Sequence, residues 1–388
     1  MKVVYVHDHK FYKYDEKYYS VGNFSEKILN RYIKSFKEID FVCRVQNCEE
    51  IHTQNLSAAS VNGINYYPIT DIRNPKNIFF YKSTYNNVKK LIMNADIVIA
   101  RLPSSNGILC SYLASKYNKK LIIEVVGCAW EANFNHGSII GKVIAPIEFL
   151  FMKRFIKNAD AVIYITRSYL QKKYPNYKGK IEVCPNVLIP SLDSDTLQSR
   201  INKIKSTKKN FRIGLIGSLD VNYKGHEALL KAVKILENNN LNIEVDFLGK
   251  GDPERWIKLV KQLKLKSKIK FSGTLSQGEE VNSWLDNLDL QVQPSLVEAQ
   301  GRSIIEGMAR ACPIVATKTG GIIELIDHFW LVEHDDILGL ANKIRDLLSS
   351  KETMVRVAER NFYEAKNYLE SDINLRRDNI FNEIINEL

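Results

Sequence analysis

Short, unbroken apolar runs alternate with longer amphipathic stretches along the whole chain. In the first half, the runs that read as strands are 3–7, 41–45, 97–101, 121–126, 161–165 and 181–184. In the second half they are 212–216, 243–248, 268–271, 288–292 and 313–316. Most are continuous Val/Ile/Leu segments rather than polar–apolar alternations, as expected of parallel strands covered on both faces. Helical patterns separate them; in 227–236, Ala228, Leu229, Ala232, Val233 and Leu236 form one stripe. Strand–helix alternation that runs twice predicts two doubly wound α/β units. The change of unit falls near Pro190, where 190–195 is rich in turn formers and the basic run 203–210 leads into the next strand. The expected domains are 1–190, 191–365 and a helical tail at 366–388.

Composition narrows the class. The 388 residues are 45% hydrophobic and 26% charged, which is globular. No run of about 18 uncharged apolar residues exists, so no spanning helix is expected. The opening residues Met1 to His7 turn polar too quickly for a signal peptide and read as a first strand, which places the protein inside the cell. Cys43, Cys48, Cys110, Cys128, Cys184 and Cys312 are scattered without a C-x-x-C, so neither a disulfide framework nor a zinc site is expected. Charge is lopsided. Residues 1–190 carry 27 Lys+Arg against 15 Asp+Glu, a net of +12, while 191–388 carry 28 against 29. Sixteen of the 19 tyrosines also precede residue 191. A basic, Tyr-rich body suits phosphates, nucleic acid or acidic lipid headgroups; a merely solubilising surface would look the same.

Candidate chemistry concentrates in the second half. The segment Pro294-Ser295-Leu296-Val297-Glu298-Ala299-Gln300-Gly301-Arg302-Ser303-Ile304-Ile305-Glu306 follows a buried strand and opens a helix with the apolar face Ile304, Ile305, Met308 and Ala309. Glu298 then lies at the strand's carboxyl end, where open α/β sheets bind ligands. Gly301 permits close backbone approach, and the N–H groups of Arg302 and Ser303 begin the helix, which makes an anion site with a carboxylate on its rim. A cation such as Arg302 in the first turn opposes the helix dipole unless an anion sits beside it. Glu306, one turn further, is off the apolar stripe. A second element runs from Gly214-Leu215-Ile216-Gly217-Ser218-Leu219-Asp220 to Tyr223-Lys224-Gly225-His226. There a strand ends in Gly217, and Lys224 offers a point charge for a diphosphate.

Three further stretches bear on ligands or surfaces. The run 7–14 mixes cations and aromatics and could stack on sugars or grip phosphates; His7 and His9 resemble half of a metal site, but no third ligand is in view. Asp193-Ser194-Asp195 matches a metal-binding D-x-D but lies in the linker rather than after a strand, so no metal is expected. Residues 138–155 are strongly apolar and end in Lys153, Arg154 and Lys157, which fits either a bilayer-surface helix or a core helix.

The ordered set Gly217…Lys224-Gly225, Glu298-x7-Glu306 and Thr319-Gly320-Gly321-x-x-Glu324-Leu325, with Pro185-Asn186-Val187 at the end of the first domain, resembles glycosyltransferase family 4, the retaining GT-B enzymes. The match spans about residues 180–345. It implies an α/β GT-B fold, two doubly wound Rossmann-like domains facing across a cleft, with a tail helix crossing back to the first. It also implies a donor site in which Lys224 contacts the diphosphate, Glu298 the donor sugar and Glu306 the ribose. The turns at Gly249 and Thr274 would border the base, and Gly217, Ser218, Gly301, Arg302 and Ser303 would complete the site. The family often reads Gly-Arg-Leu where this chain has Gly217-Ser218-Leu219, and Arg302 is expected to take over that missing charge. On the first domain, the glycine loop corresponds to 20–25, with Gly22 and Asn23 facing the cleft. His136 or Glu131 is expected near the acceptor, where the family carries a histidine.

The resulting expectation is a metal-independent, cofactor-free glycosyltransferase with Glu298, Lys224 and Arg302 as catalytic groups. Its donor would be a nucleoside-diphosphate sugar, UDP- rather than GDP-linked. Its acceptor would be a polyprenyl-diphosphate-linked glycan of surface polysaccharide assembly, reached through peripheral contact with an anionic membrane. No nucleic-acid partner is expected, since no recognisable motif for one occurs. A nucleotide-sugar epimerase of similar shape is the alternative, and Glu298-x7-Glu306 speaks against it. An NAD-dependent oxidoreductase lacks its G-x-G-x-x-G turn after the first strand.

Overall fold

The computed structural model describes residues 1–22, 24–50, 56–70, 81–134, 139–206 and 210–388. The chain forms two compact units, Met1–Cys184 with Asn374–Leu388, and Pro185–Ile373. Strands of the first unit are β1 (Val3–Tyr14), β2 (Lys17–Ser20), β3 (Ile39–Asn47), β4 (Ser57–Ala58) and β5 (Ile64–Pro68). They continue with β6 (Ile97–Leu102), β7 (Lys120–Val125), β8 (Ala161–Tyr164) and β9 (Lys180–Val183). The parallel order is β5-β3-β1-β6-β7-β8-β9; β2 adds antiparallel to the far end of β1, and β4 adds antiparallel to β2. The central strands β6 to β8 are buried Ile/Val/Ala runs, which is why they were legible as parallel strands.

β1 is longer than the run 3–7 predicts. Its register against β3 shifts between Val6 and Lys10, and pairing resumes through Lys13. His7, Asp8 and His9 form the irregularity, the kind of bulge that re-aims side chains at a sheet's edge. The extension is cationic on its surface, yet Phe11 is fully buried against Phe24, Phe41 and Tyr66. Phe11 is therefore core rather than a stacking platform for sugars, which corrects that part of the expectation for 7–14.

A charged network lies under the carboxyl edge of this sheet. Buried Glu124 on β7 accepts from Tyr5 Oη (2.8 Å), Tyr32 Oη (2.8 Å) and Arg101 Nη1 (3.0 Å). Burial and the Glu124 carboxylate push the Tyr32 phenol up to about 12, so it remains a donor. The final helix, Glu370–Ile385, lays Phe381 against Phe36 (4.8 Å) and Tyr32 (6.0 Å).

The second unit is a parallel sheet of β10 (Phe211–Ile216), β11 (Ile243–Leu248), β12 (Lys268–Gly273), β13 (Leu290–Gln293), β14 (Ile314–Thr317) and β15 (Leu331–Val332), in the order β12-β11-β10-β13-β14-β15. This is the Rossmann order, reversing between β10 and β13. β13 begins two residues later than the apolar run predicts and ends on Gln293. Gln291 and Gln293 are buried because their amides donate to Ser303 O (2.9 Å) and Ser295 Oγ (2.9 Å). The linker is more ordered than its turn-rich composition suggests: Asp193 caps the Ser194–Lys205 helix, whose buried Arg200 donates to the carbonyls of Leu285, Leu288 and Arg310.

Replacing Glu124 with Leu strands the Arg101 guanidinium inside the first unit. The expected cost is about 3–5 kcal/mol, read in urea as an earlier transition for that unit with the second unit's transition unmoved.

Candidate functional site

Two neighbouring strands of the second sheet deliver the loops that matter. Loop 217–225 leaves β10 and loop 294–301 leaves β13, on either side of the point where strand order reverses. At such a point the flanking helices diverge to opposite faces and leave a crevice beyond the carboxyl ends. The loops touch: Leu296 N donates to Tyr223 O (2.8 Å). Gly225 makes this approach possible, because at φ +84° its missing Cβ would stand 2.0 Å from Pro294 O.

That contact brings together two side chains 74 residues apart. Lys224 Nζ lies 2.6 Å from Glu298 Oε2, both largely shielded from solvent. A third segment braces the carboxylate's backbone. Gly321 N donates to Glu298 O (3.2 Å), and a Cβ on Gly320, at φ +51°, would fall 1.5 Å from that oxygen. Thr319-Gly320-Gly321 therefore serves as the support of Glu298, a function its spacing did not disclose.

The other predicted donor positions fall around this pair. Gly217 N donates to Leu248 O (2.9 Å) and Gly249 N to Gly273 O (2.7 Å), which joins the ends of β10, β11 and β12 in a row. Thr274 is exposed at the end of that row. The Ser218 hydroxyl bonds Lys250 O (3.3 Å) and lies 3.4 Å from Asp220 Oδ2, within its own loop. Gly301 caps the Arg302–Ala309 helix with no side-chain acceptor at its N-terminus. Arg302 is exposed in the first turn, and Glu306 is half-buried one turn on. Burial pushes the Glu306 carboxyl up, against the pull of Arg302. Ser303 turns its hydroxyl inward to Gln293 Oε1 (3.2 Å), so only its backbone N–H remains for an anion.

Two residues of the site carried no role in the sequence. Arg255 donates to Asn222 Oδ1 (2.6 Å) and to Leu219 O, with its guanidinium 4.2 Å over the Trp256 ring, and so clamps loop 217–225. His226, the first residue of the helix after Gly225, is fully buried and stacked on Trp256 at 4.9 Å. Burial, with Arg255 and Lys224 nearby, lowers its imidazole to about 4, so it is neutral at pH 7. Neither was legible, because both act through loops whose contact depends on the fold.

The first unit presents a different picture at its own reversal, between β1 and β6. The helix after β6, Ser105–Lys116, has its N-terminal N–H groups filled by the chain itself: Asp8 accepts from Ser105 N (2.7 Å) and Asn106 N (3.2 Å). Gly22 is exposed at φ +76°, in a loop held by Ser20 Oγ, which accepts from Phe24 N (3.2 Å) and lies 2.8 Å from His9 Nε2. Burial lowers His9 to about 4 and holds His7 well below the usual imidazole value, so both rings are neutral. Glu131 is ion-paired with Lys173 and bonded to Tyr169. Asn23 and His136 lie outside the described residues. Among the described residues, no group of three or more His, Cys, Asp or Glu could hold a metal ion.

A family model described as glycosyl transferases group 1 matches residues 210–350. Protein CapJ of Staphylococcus aureus is 32% identical over 386 residues, covering 98% of this chain and 93% of CapJ. The amylovoran biosynthesis glycosyltransferase AmsK of Erwinia amylovora is 32% identical over a local stretch of 128 residues, 30% of this chain and 31% of AmsK. The crystal structure of Anabaena HepE in complex with UDP-glucose superposes over 100% of both chains with a TM-score of 0.65 at 17% identity, a likeness of fold.

His226 yields a prediction with a definite sign. Its folded value lies below the unfolded one, so its contribution is complete above pH 6.5 and is lost as pH falls toward 4, by up to about 3 kcal/mol. His226→Phe should flatten the second unit's stability between pH 6.5 and 4, measured by urea unfolding at stepped pH. An unchanged slope would mean that the ring is charged in the fold.

Proposed function

The chain belongs to the glycosyl transferases group 1 family, and from that membership we propose that it is a retaining, metal-independent hexosyltransferase of glycosyltransferase family 4. The protein is a glycosyltransferase of GT-B fold, built on two Rossmann-like parallel sheets. In this reading, residues 191–365 hold a nucleoside-diphosphate sugar and residues 1–190 receive the acceptor, with Gly22, Asn23, Glu131 and His136 on that side.

The observation that carries the reading is the pairing of Lys224 with Glu298 beside the uncapped start of the Arg302–Ala309 helix. An incoming diphosphate meets an ammonium already fixed in position, two helix N–H groups and the Arg302 guanidinium. Stabilising charge that needs no reorganisation is usually the largest catalytic term. The anomeric C–O bond to phosphate breaks while a C–O bond to the acceptor hydroxyl forms on the same face, and the acceptor proton passes to the departing phosphate oxygen. Glu298 orients the sugar hydroxyls and faces the positive charge that develops at the anomeric carbon. Glu306 meets the ribose, and Gly217, Ser218, Gly249, Thr274, Gly301 and the Ser303 N–H line the nucleotide.

The complexes of HepE with UDP and with UDP-glucose support UDP as the nucleotide. The names of the capsular polysaccharide biosynthesis glycosyltransferase CapM of Staphylococcus aureus, 24% identical over 185 residues, and of the amylovoran biosynthesis glycosyltransferase AmsK support surface polysaccharide assembly. The acceptor we assign is a polyprenyl-diphosphate-linked glycan at the inner face of the cell membrane, met by peripheral contact with anionic lipid. Among the described residues, no helix is long and apolar enough to cross a membrane.

UDP at 100 times its dissociation constant should stabilise the protein by about 2.7 kcal/mol in a thermal-shift panel, with GDP giving less. Lys224→Ala and Glu298→Gln should each lower transfer by roughly two to three orders of magnitude while circular dichroism remains that of the parent. Full activity in either variant removes the assigned roles.

A further inference from the structure

We propose that the outward face of the Ala129–Phe134 and Ile139–Asn158 helices docks on an anionic lipid bilayer; this specifies the surface behind the membrane contact proposed above and rests on that reading. Val143, Ile147, Leu150 and Phe151 are 63%, 51%, 64% and 47% exposed. Their spacing places them on one stripe of the longer helix. Trp130 and Phe134 of the shorter helix extend the patch, each 42% exposed, with rings stacked at 5.6 Å and 12°. The Lys142 ammonium lies 5.5 Å over the Phe134 ring, which makes the two helices one continuous surface.

The stripe cannot be the core face. The opposite side of the same helix buries Ala145, Met152, Phe155 and Ile156. On that side buried Glu148 accepts from Ser105 Oγ (2.6 Å) and Asn133 Nδ2 (2.7 Å). These bonds fix the helix's rotation, and turning the stripe inward would expose that interior. Six large apolar side chains therefore remain in water, a contiguous patch of the kind that marks an interaction surface.

Charge identifies the occupant. Lys142, Lys153, Arg154 and Lys157 are exposed around the stripe, and the helix's one carboxylate, Glu148, points inward. A surface that is apolar along its centre and cationic at its edge, with Glu148 turned inward and Glu131 of the shorter helix paired with Lys173, matches the boundary between acyl chains and anionic headgroups. A second protein would be expected to answer mixed charges. Residues 1–190, which contain this face, are also the stretch with the +12 imbalance.

The test is flotation of the full chain with vesicles of phosphatidylcholine alone or with 30 mol% phosphatidylglycerol. The parent should partition onto the anionic vesicles and release in high salt. Ile147→Ser/Leu150→Ser should abolish partitioning, and Lys153→Gln/Arg154→Gln/Lys157→Gln should weaken it on the order of a hundred-fold. UDP binding, followed by thermal shift, should be unchanged in both variants. Equal partitioning of parent and variants, or none by the parent, overturns the proposal. So does a parent that is dimeric by analytical ultracentrifugation where Ile147→Ser/Leu150→Ser is monomeric, since a second copy would then own the face. The transferase reading fails separately, by loss of UDP binding with lipid partitioning intact.

Discussion

The salt bridge between Lys224 and Glu298 is the constraint on which the second unit's site depends. It exists because β10 and β13 are adjacent and their loops leave in register, with Gly225 under Pro294 and Gly320 under Glu298. An isolated ammonium so shielded would be costly, and so would an isolated carboxylate. Paired, the two hold each other at a defined place before any ligand arrives. The site is thereby preorganised: an anion that engages Lys224 finds a fixed charge rather than a flexible one.

The two Rossmann-like units share the same order reversal and treat it oppositely. In the first, Asp8 projects from the β1 bulge and occupies the start of the Ser105–Lys116 helix. In the second, the equivalent helix begins with Gly301 and Arg302 and has no side-chain cap. One anion site is filled by the protein itself, and the other is built with an extra positive charge. This asymmetry is a physical reason for assigning the diphosphate to the second unit, independent of any family pattern. It also shows how the more basic half of the chain can be the half to which the proposed reading does not assign the diphosphate: its excess charge lies partly around an exposed apolar helix face instead.

Buried polar groups account for most departures from the apolar-run reading. Gln291 and Gln293 continue a strand into the interior because Ser303 O and Ser295 Oγ accept from their amide N–H groups, and Gly307 leaves room for Gln291. Glu124 belongs to the first core because two tyrosines and Arg101 surround it. Hydropathy penalises such residues, since it cannot register a partner that arrives from elsewhere in the chain. The extension of β1 was hidden for a related reason: its lysines and tyrosines look like surface, and only Phe11 reaches the core.

The sequence by itself determined the two doubly wound units and most of their parallel strands, and it singled out Gly217, Lys224, Glu298, Gly301 and Glu306 as an ordered set of candidates, because strand burial and helix starts leave local marks in composition and spacing. It also exposed an apolar helix with a basic end without deciding its orientation. Tertiary structure alone decided that Lys224 meets Glu298, that Thr319-Gly320-Gly321 braces it, that Arg255 and His226 hold the neighbouring loop, and that Glu131 is occupied by Lys173. It also decided which face of the Ile139–Asn158 helix meets solvent. Each of these depends on strand order, register or helix rotation, and those are set by packing between segments far apart in the chain, to which local periodicity is blind.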